Sequence, residues 1–235
     1  MTTAELADRF RGKSIVQPGE VATPGASSPR GGSVSPVHQG TWGLAPGRTL
    51  SVVGPPGFGL TRVGLAALAD QSRLGPVAYL DVRGWLCPAA AWEVGIDARR
   101  LVVVRCDNPV PWARVAATLV SGLRAVIAEV PAGAKEAQLR KLAMLAKTHR
   151  TALVLRPVRG DIPTGVSYLR LEAVGVDWAG AGDGHGRLEG RRLRFQATGK
   201  GVRGMTTTVE FEDHGTDPLR VVSGLAIAPA GHAIG

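Results

Sequence analysis

Residues 54–61 carry a spacing of glycine and hydroxyl side chains that is typical of a phosphate-binding loop. The stretch reads Gly-Pro-Pro-Gly-Phe-Gly-Leu-Thr, and the P-loop pattern is G-x-x-x-x-G-K-[S/T]. Both glycines and the hydroxyl are present, but Leu60 stands at the lysine position. An alkyl side chain offers no donor to a nucleotide's phosphates, and losing such a charge-assisted contact costs about 1.5–3 kcal/mol. We therefore assign to a vestigial nucleotide site the residues Gly54, Gly57, Gly59, Leu60 and Thr61.

The segments on either side of this loop allow two interpretations. An apolar run, Thr49 to Val53, precedes the loop, and a helical pattern, Val63 to Leu74, follows it. This is the strand–loop–helix context of a P-loop, although a simple Gly/Pro turn between a strand and a helix fits the loop residues equally well. The loop residues alone do not separate these two interpretations. From the rest of the chain we interpret the loop as one that keeps the backbone of a P-loop and lacks its chemistry.

Other catalytic chemistry has little support in the sequence. The five histidines are scattered, mostly in predicted loops, which is not a metal-ligand arrangement. There is no G-x-S-x-G nucleophile elbow. Cys87 and Cys106 have neither metal spacing nor a disulfide framework, so we interpret both as reduced core side chains. The sequence thus predicts neither a metal nor a cofactor.

Composition and charge limit the class of partner. The chain has 235 residues, 44% of them hydrophobic, with a formal net charge of +9. This length suits one domain with tails, and the basic balance favours acidic partners such as nucleic acid. No stretch reaches the roughly 18 apolar residues of a membrane span, and the first residues lack a signal sequence. We expect a cytoplasmic protein that does not enter a membrane.

Apolar runs alternate with helical patterns through the middle of the chain. We predict strands at 49–53, 77–81, 101–105, 125–129 and 151–155, with helices at 63–74, 89–94, 112–120 and 135–150. Such alternation indicates right-handed βαβ units and a mostly parallel sheet flanked by helices.

The pattern changes after residue 167. Residues 168–176 and 191–198 alternate like half-buried strands, and a glycine-rich turn separates them, which predicts an antiparallel extension at one edge of the sheet. Residues 206–211 are predicted to add a further strand. We divide the chain into a short helix and flexible linker (1–40, the helix at 3–10), a core domain (41–211) and a flexible C-terminal tail (212–235).

The order of these elements resembles the core of RecA-like recombinases across about residues 40–205. Four stretches carry the resemblance: the glycine-rich lead-in at 43–48, Trp-Glu-Val-Gly-Ile-Asp at 92–97 followed by Leu-Val-Val-Val at 101–104, Gln-Leu-Arg-Lys-Leu at 138–142, and Gly-Lys at 199–200. The resemblance implies an α/β fold with a RecA-like P-loop core.

The departures from the family pattern fall on its catalytic positions. Arg83 stands where the resemblance places the catalytic glutamate, and a guanidinium does not lose its proton in proteins. Glu129, which we assign to the same vestigial nucleotide site, ends the strand that looks like Walker B, where an aspartate is usual. Arg156 and Pro157 replace the nucleotide-sensing amide pair. Together with Leu60 these changes predict a protein that is not an enzyme.

Among RecA-like proteins the chain resembles most the actinobacterial ImuA-type accessory factors of the error-prone mutasome. That resemblance implies a non-catalytic adaptor in DNA-damage-induced mutagenesis and translesion synthesis, with a polymerase-like protein as its partner. Two alternatives stay open. One is a SulA-like inhibitor of cell division, and the other is a weak DNA-dependent ATPase.

The basic residues predict weak contact with single-stranded DNA. Several follow one helix and others lie near the last predicted strands, so that they could form a phosphate track. Aromatic residues make up 5% of the chain, which leaves few stacking platforms for bases. The candidate DNA-binding residues are Lys135, Arg140, Lys141, Lys147, Arg191, Arg194, Lys200 and Arg203.

Overall fold

The apolar runs of the sequence form the middle strands of one sheet. The computed structural model describes residues 43–180, 188–215 and 219–223. Within these ranges the strands are β1 (Thr49–Val53), β2 (Val77–Asp81), β3 (Leu101–Arg105), β4 (Ala125–Val130), β5 (Ala152–Pro157), β6 (Leu169–Ala179), β7 (Gly190–Thr198), β8 (Thr207–Asp213) and β9 (Arg220–Ser223). They lie side by side in the order β3-β2-β4-β5-β1-β6-β7-β8-β9.

The sheet is parallel in its first part and antiparallel in its second. Strands β3, β2, β4, β5, β1 and β6 pair in parallel, and β6 to β9 pair antiparallel. The predicted α/β fold, with a mostly parallel sheet and antiparallel strands at one edge, is confirmed. Because parallel strands point the same way, their carboxyl ends meet at one edge of the sheet, where ligands bind in open α/β folds.

Helices cover both faces of the parallel strands. They are α1 (Leu60–Ala66), α2 (Ala69–Leu74), α3 (Pro88–Glu93), α4 (Pro109–Gly122) and α5 (Glu136–His149). One buried cluster contains α1 with Leu50 and Val154, and the other contains α4 and α5 with Leu153 and Leu155. Adjacent residues of β5 thus enter opposite clusters, as the period of two in a strand requires.

All four helices predicted in the core domain differ in their bounds from those observed, and for two of them the backbone shows the reason. The helix expected at 63–74 is divided into α1 and α2, because Leu68 leaves the helical region at φ −108° and ψ 1°. Helix α5 ends at His149, one residue before the predicted end, because Arg150 adopts a left-handed conformation with φ 55°. Both differences are local and keep the order of the elements.

The C-terminal boundary needs a larger correction. Residues 212–235 were predicted to form a flexible tail, but β8 continues through Asp213, and Arg220–Ser223 pair with it as β9. The physical reason is burial: Phe211 and Asp213 both lie in the interior, and this fixes the end of β8. The predicted helix at 3–10 and the linker up to residue 40 lie outside the described residues.

None of the helices in the described part of the chain has the length and apolar character needed to cross a bilayer.

Candidate functional site

The carboxyl ends of β2, β4 and β5 bring three polar side chains together on one face of the sheet. Tyr79, Glu129 and Arg156 each follow, by two residues, a side chain of the cluster that contains α1, so all three point to the same face. Strand register then sets Glu129 directly opposite Arg156. The sheet alone therefore places a carboxylate beside a guanidinium.

Glu129 is the centre of this cluster. Its side chain is 1% exposed, and its Oε1 accepts hydrogen bonds from the hydroxyl of Tyr79 at 2.9 Å and from Nη1 of Arg156 at 2.8 Å. Arg83 reaches the same oxygen from the loop after β2, through Nε at 3.1 Å and Nη2 at 2.5 Å. One buried carboxylate thus binds two arginines, and we call Tyr79, Arg83, Glu129 and Arg156 the strand-end cluster.

Backbone groups bind the other oxygen of Glu129. Its Oε2 accepts the N–H groups of Val82 at 3.0 Å and of Arg83 at 3.2 Å. A carboxylate has about four lone-pair sites, and six donor groups from four residues now share them. The arrangement leaves Glu129 no lone pair directed at a metal ion or at a metal-bound water.

The charges of the strand-end cluster shift the pKa of each member. Burial acts to raise the pKa of Glu129, but the hydrogen bonds and charge of Arg83 outweigh it and hold that pKa below its usual range. Burial, together with the charge of Arg83, lowers the pKa of Arg156. Burial first, and then the negative charge of Glu129, raise the pKa of Tyr79. The carboxylate is therefore ionised and the phenol neutral at neutral pH.

The strand-end cluster carries a net positive charge because two guanidiniums share one carboxylate. The side chain of Arg156 is 10% exposed and that of Arg83 is 20% exposed. Within the described residues, Nε of Arg156 is buried and has no hydrogen-bond partner. Arg156 is thus the member that depends most on Glu129, since burial of an uncompensated charge is costly.

Asp81 fixes the loop that carries Arg83. Its two carboxylate oxygens accept the backbone N–H groups of Gly84 at 2.8 Å, Trp85 at 3.2 Å and Leu86 at 3.1 Å. The guanidinium of Arg83 lies over the ring of Trp85, 4.9 Å from its centroid. Trp85 is 74% exposed, so the cluster and Asp81 together hold a large aromatic side chain at the surface.

The glycines of the loop after β1 adopt conformations that require glycine. Gly57 and Gly59 have φ 89° and 68°, values that favour glycine. Gly54 also lies so close to β6 that an added Cβ would stand 2.7 Å from that of Ala173. Leu60 starts α1 with 5% of its surface exposed, and it belongs to the core cluster. The side chain at the lysine position is therefore a core residue.

A second ionic network lies against this loop. The carboxylate of Asp213, at the end of β8, accepts a hydrogen bond from Nε of Arg62 at 2.8 Å and forms an ion pair with Nη2 of Arg191 at 2.7 Å. Arg191 also donates Nη1 to the carbonyl of Gly57 at 3.3 Å, and Arg62 binds Glu93 at 2.9 Å. Sequence reasoning missed this network because its members lie up to 151 residues apart.

The candidate DNA-binding residues fall into two groups. Helix α5 presents Lys135, Lys141 and Lys147 to solvent, whereas Arg140 pairs with Glu136. The rest lie on β7 and the turn after it. There, Arg191 pairs with Asp213 and Arg194 pairs with Asp177, while Lys200 and Arg203 lie in or next to the short 3₁₀ helix Lys200–Val202. The two groups lie on different elements, one at α5 and the other in the β7 region. The phosphate track stays a prediction.

Sequence reasoning predicted Arg83, Glu129 and Arg156 as separate departures from a catalytic pattern, and it missed that they bind one another. The available signal was strand register, which sets Glu129 opposite Arg156 once β4 and β5 are paired in parallel. Within the described ranges, no three His, Cys, Asp or Glu side chains lie together in a way that would hold a metal ion.

The sheet order, the glycine loop after β1 and the carboxylate that ends β4 define a RecA-like α/β protein. Residues 39–163 match the model of the family described as the MT3502 N-terminal domain, and the chain belongs to that family. RecA from Cutibacterium acnes is 34% identical over 122 residues, which are 51% of this chain and 35% of that protein. RecA from Salinispora arenicola is 29% identical over 233 residues, which are 92% of this chain and 65% of that protein.

The chain spans less than two thirds of the length of these RecA proteins. A crystal structure of the RadB recombinase matches 75% of this chain and 91% of its own, with a TM-score of 0.52 and 18% sequence identity. At that identity the likeness shows the fold. The RecA-like relationship is thus confirmed by sequence and by fold.

Proposed function

We propose that this chain is a non-catalytic RecA-like accessory protein in DNA-damage-induced mutagenesis and translesion synthesis, and that it works by binding a polymerase-like protein. The observation that supports the proposal most is the strand-end cluster. In this cluster Arg83 and Arg156 form ion pairs with the carboxylate of Glu129. By the family resemblance, a carboxylate at this position would orient a metal-bound water.

Energetic arguments oppose nucleotide hydrolysis at this site. To free Glu129 for a metal, both guanidiniums would have to leave it, and breaking a buried pair costs about 3–5 kcal/mol. The lost contact of the missing lysine at Leu60 adds about 1.5–3 kcal/mol. Arg83 at the position of the base cannot accept a proton. A weak ATPase would have to overcome all three deficits.

The same cluster supplies a surface for a protein partner. Trp85 is 74% exposed under the guanidinium of Arg83, and Trp92 on α3 is 52% exposed. Exposed tryptophans are strongly enriched among the residues that dominate binding energy at interfaces. Because Asp81 and the cluster hold the Trp85 loop, the partner meets an ordered side chain and loses little entropy on binding.

The experiment measures binding and hydrolysis with the same purified protein. We expect background ATP hydrolysis with magnesium, and capture of the polymerase-like protein encoded in the same genome. Trp85→Ala should weaken capture at least tenfold without changing the melting temperature. Trp178→Ala is the matched control, because Trp178 is 49% exposed and also lies beneath an arginine, at 5.3 Å.

Two results would contradict the proposal. Magnesium-dependent ATP turnover that Thr61→Ala abolishes would make the chain an ATPase. Capture of a division protein in place of the polymerase-like protein would favour the SulA-like alternative.

A further inference from the structure

A cleft of about 650 Å³ lies at the edge of the sheet opposite the strand-end cluster. Its lining residues directly precede β2, β4 and β5, so it is at the amino ends of the parallel strands. It shares no residue with the strand-end cluster or the glycine loop. Any ligand of this cleft would therefore bind independently of a nucleotide.

The cleft is lined by two arginines, Arg124 and Arg150, and by no acidic side chain. His149 also contributes to its wall. In the ranges 43–180, 188–215 and 219–223, none of the three has a carboxylate within ion-pairing distance. Most other arginines in contact with the sheet do pair with an acid, so charge in this cleft is left for a ligand.

Arg124 is held in a fixed position. Its Nε donates to Oε1 of Gln71 at 3.1 Å, and the buried amide of Gln71 in turn donates to the carbonyl of Leu44 at 3.1 Å. Gly75 leaves space for the stem of Arg124, since an added Cβ would stand 3.1 Å from that arginine's Cβ. This arrangement orients the guanidinium before any ligand arrives, which lowers the entropic cost of binding.

Arg150 occupies a backbone position that favours glycine. It follows α5 with φ 55° and ψ 35°, and its N–H closes the helix on the carbonyls of Ala146 and Lys147. Helices often end with glycine in this conformation because a Cβ is unfavourable there. The side chain of Arg150 contributes to the wall of the cleft at the C-terminus of α5.

The remaining wall favours a peptide because it is partly apolar. Helices α2, α4 and α5 all end at the cleft, and other groups of the protein already bind several of their last carbonyls, as Arg100 does for Ser72 and Arg73 and Thr151 does for Val120. Leu74 is 64% exposed, and Leu123 adds further apolar surface.

We propose that this cleft binds an extended segment of a protein partner that carries both acidic and apolar side chains. The acidic side chains pair with Arg124 and Arg150, and the apolar ones lie on Leu74 and Leu123. An arginine–carboxylate contact is geometrically specific because it uses two parallel hydrogen bonds.

The test uses the full chain and a fluorescent peptide of alternating glutamate and leucine. We expect saturable binding that weakens as salt is raised, and no comparable binding of a peptide of alternating glutamine and leucine. Arg150→Gly should weaken binding of the acidic peptide about tenfold or more without lowering the melting temperature. Arg203→Gly is the matched control, since Arg203 also has φ 55° but lies outside the cleft.

A second variant tests whether the loss of binding in Arg150→Gly comes from a change of the backbone at residue 150. Arg124→Gln should also weaken binding of the acidic peptide about tenfold. Absence of binding by wild-type protein, or equal loss in the Arg150 and Arg203 variants, would overturn the proposal. So would an oligothymidylate that binds the cleft and loses affinity in Arg150→Gly, because the cleft would then recognise nucleic acid. None of these measurements involves ATP or the polymerase-like protein, so they stand apart from the proposed function.

Discussion

Replacing Glu129 with glutamine removes the one negative charge of the strand-end cluster and changes little else. The side chain keeps its size and an oxygen that can accept hydrogen bonds. Arg156, 10% exposed, and Arg83, 20% exposed, would then face each other without a counter-ion. Removing one partner of a buried ion pair costs about 3–5 kcal/mol. Because Arg83 reaches solvent, we expect the lower end, about 3 kcal/mol.

This loss should be visible as a large fall in melting temperature. For domains of about 150–250 residues, 1 kcal/mol shifts the melting temperature by roughly 2–4 °C, so Glu129→Gln should lower it by about 6–12 °C. Urea unfolding should show a lower midpoint with an unchanged slope. The matched control is Glu136→Gln, since Glu136 pairs with Arg140 on the exposed face of α5 and such pairs contribute only about 0.3–0.5 kcal/mol.

A second substitution and the pH dependence test the electrostatic cause. Arg156→Met in the Glu129→Gln background should recover part of the lost stability, because it removes the charge that is buried without a partner. The pKa of Glu129 is depressed in the folded state, so its stabilisation is present above the ordinary glutamate pKa, about 4.3, and is lost as the pH falls through the folded value. The difference between wild type and Glu129→Gln should therefore be full at pH 7 and shrink in acid.

Two outcomes would refute this reasoning. A loss for Glu129→Gln no larger than that for Glu136→Gln would mean that the ion cluster does not stabilise the fold. A rise in wild-type melting temperature with magnesium and nucleotide that depends on Glu129 would mean that this carboxylate is available for metal chemistry.

Three further predictions follow from the same structure. Leu60→Lys should not create magnesium-dependent phosphate release, because the strand-end carboxylate stays occupied; release above background would contradict this. Binding to single-stranded DNA should be weak and steeply salt-dependent, reduced by Lys141→Glu but little changed by Arg194→Ala, whose charge is already paired; equal effects in a filter-binding assay would argue against it. Asp213→Asn should lower the melting temperature by several degrees, since Asp213 is the buried acceptor for two arginines; an unchanged melting curve would show that this network is not stabilising.

Short runs rich in β-branched and other apolar residues are the elements that pattern predicts well. Strands β1, β2 and β3 have the predicted bounds, although β1 and β2 are buried throughout and β3 is partly exposed. β9 was missed because four residues in a glycine-rich region carry too little pattern, and its pairing with β8 fixes it. Whether such a short strand forms depends on contacts with residues distant in the sequence. A prediction from neighbouring residues alone does not include those contacts.

The sequence allowed the residues of the candidate site to be identified, but it did not show that they bind one another. Leu60, Arg83 and Arg156 could each be recognised as departures from a catalytic pattern, but sequence reasoning treats each as a loss. The pairing of Glu129 with Arg156 depends on the register of β4 with β5. The arrival of Arg83 at the same oxygen depends on the loop that Asp81 organises. Neither is a property of one segment.

The departures at the strand ends are physically interdependent. Arg156 is tolerated in the interior because Glu129 neutralises it, and Glu129 is tolerated because two guanidiniums, a phenol and two backbone amides satisfy its oxygens. Arg83→Glu alone would set a second carboxylate beside Glu129 and remove one of its cations. We therefore expect this substitution to lower the stability of the fold. The fold itself, and not the absence of one lysine, keeps this site in its ion-paired form.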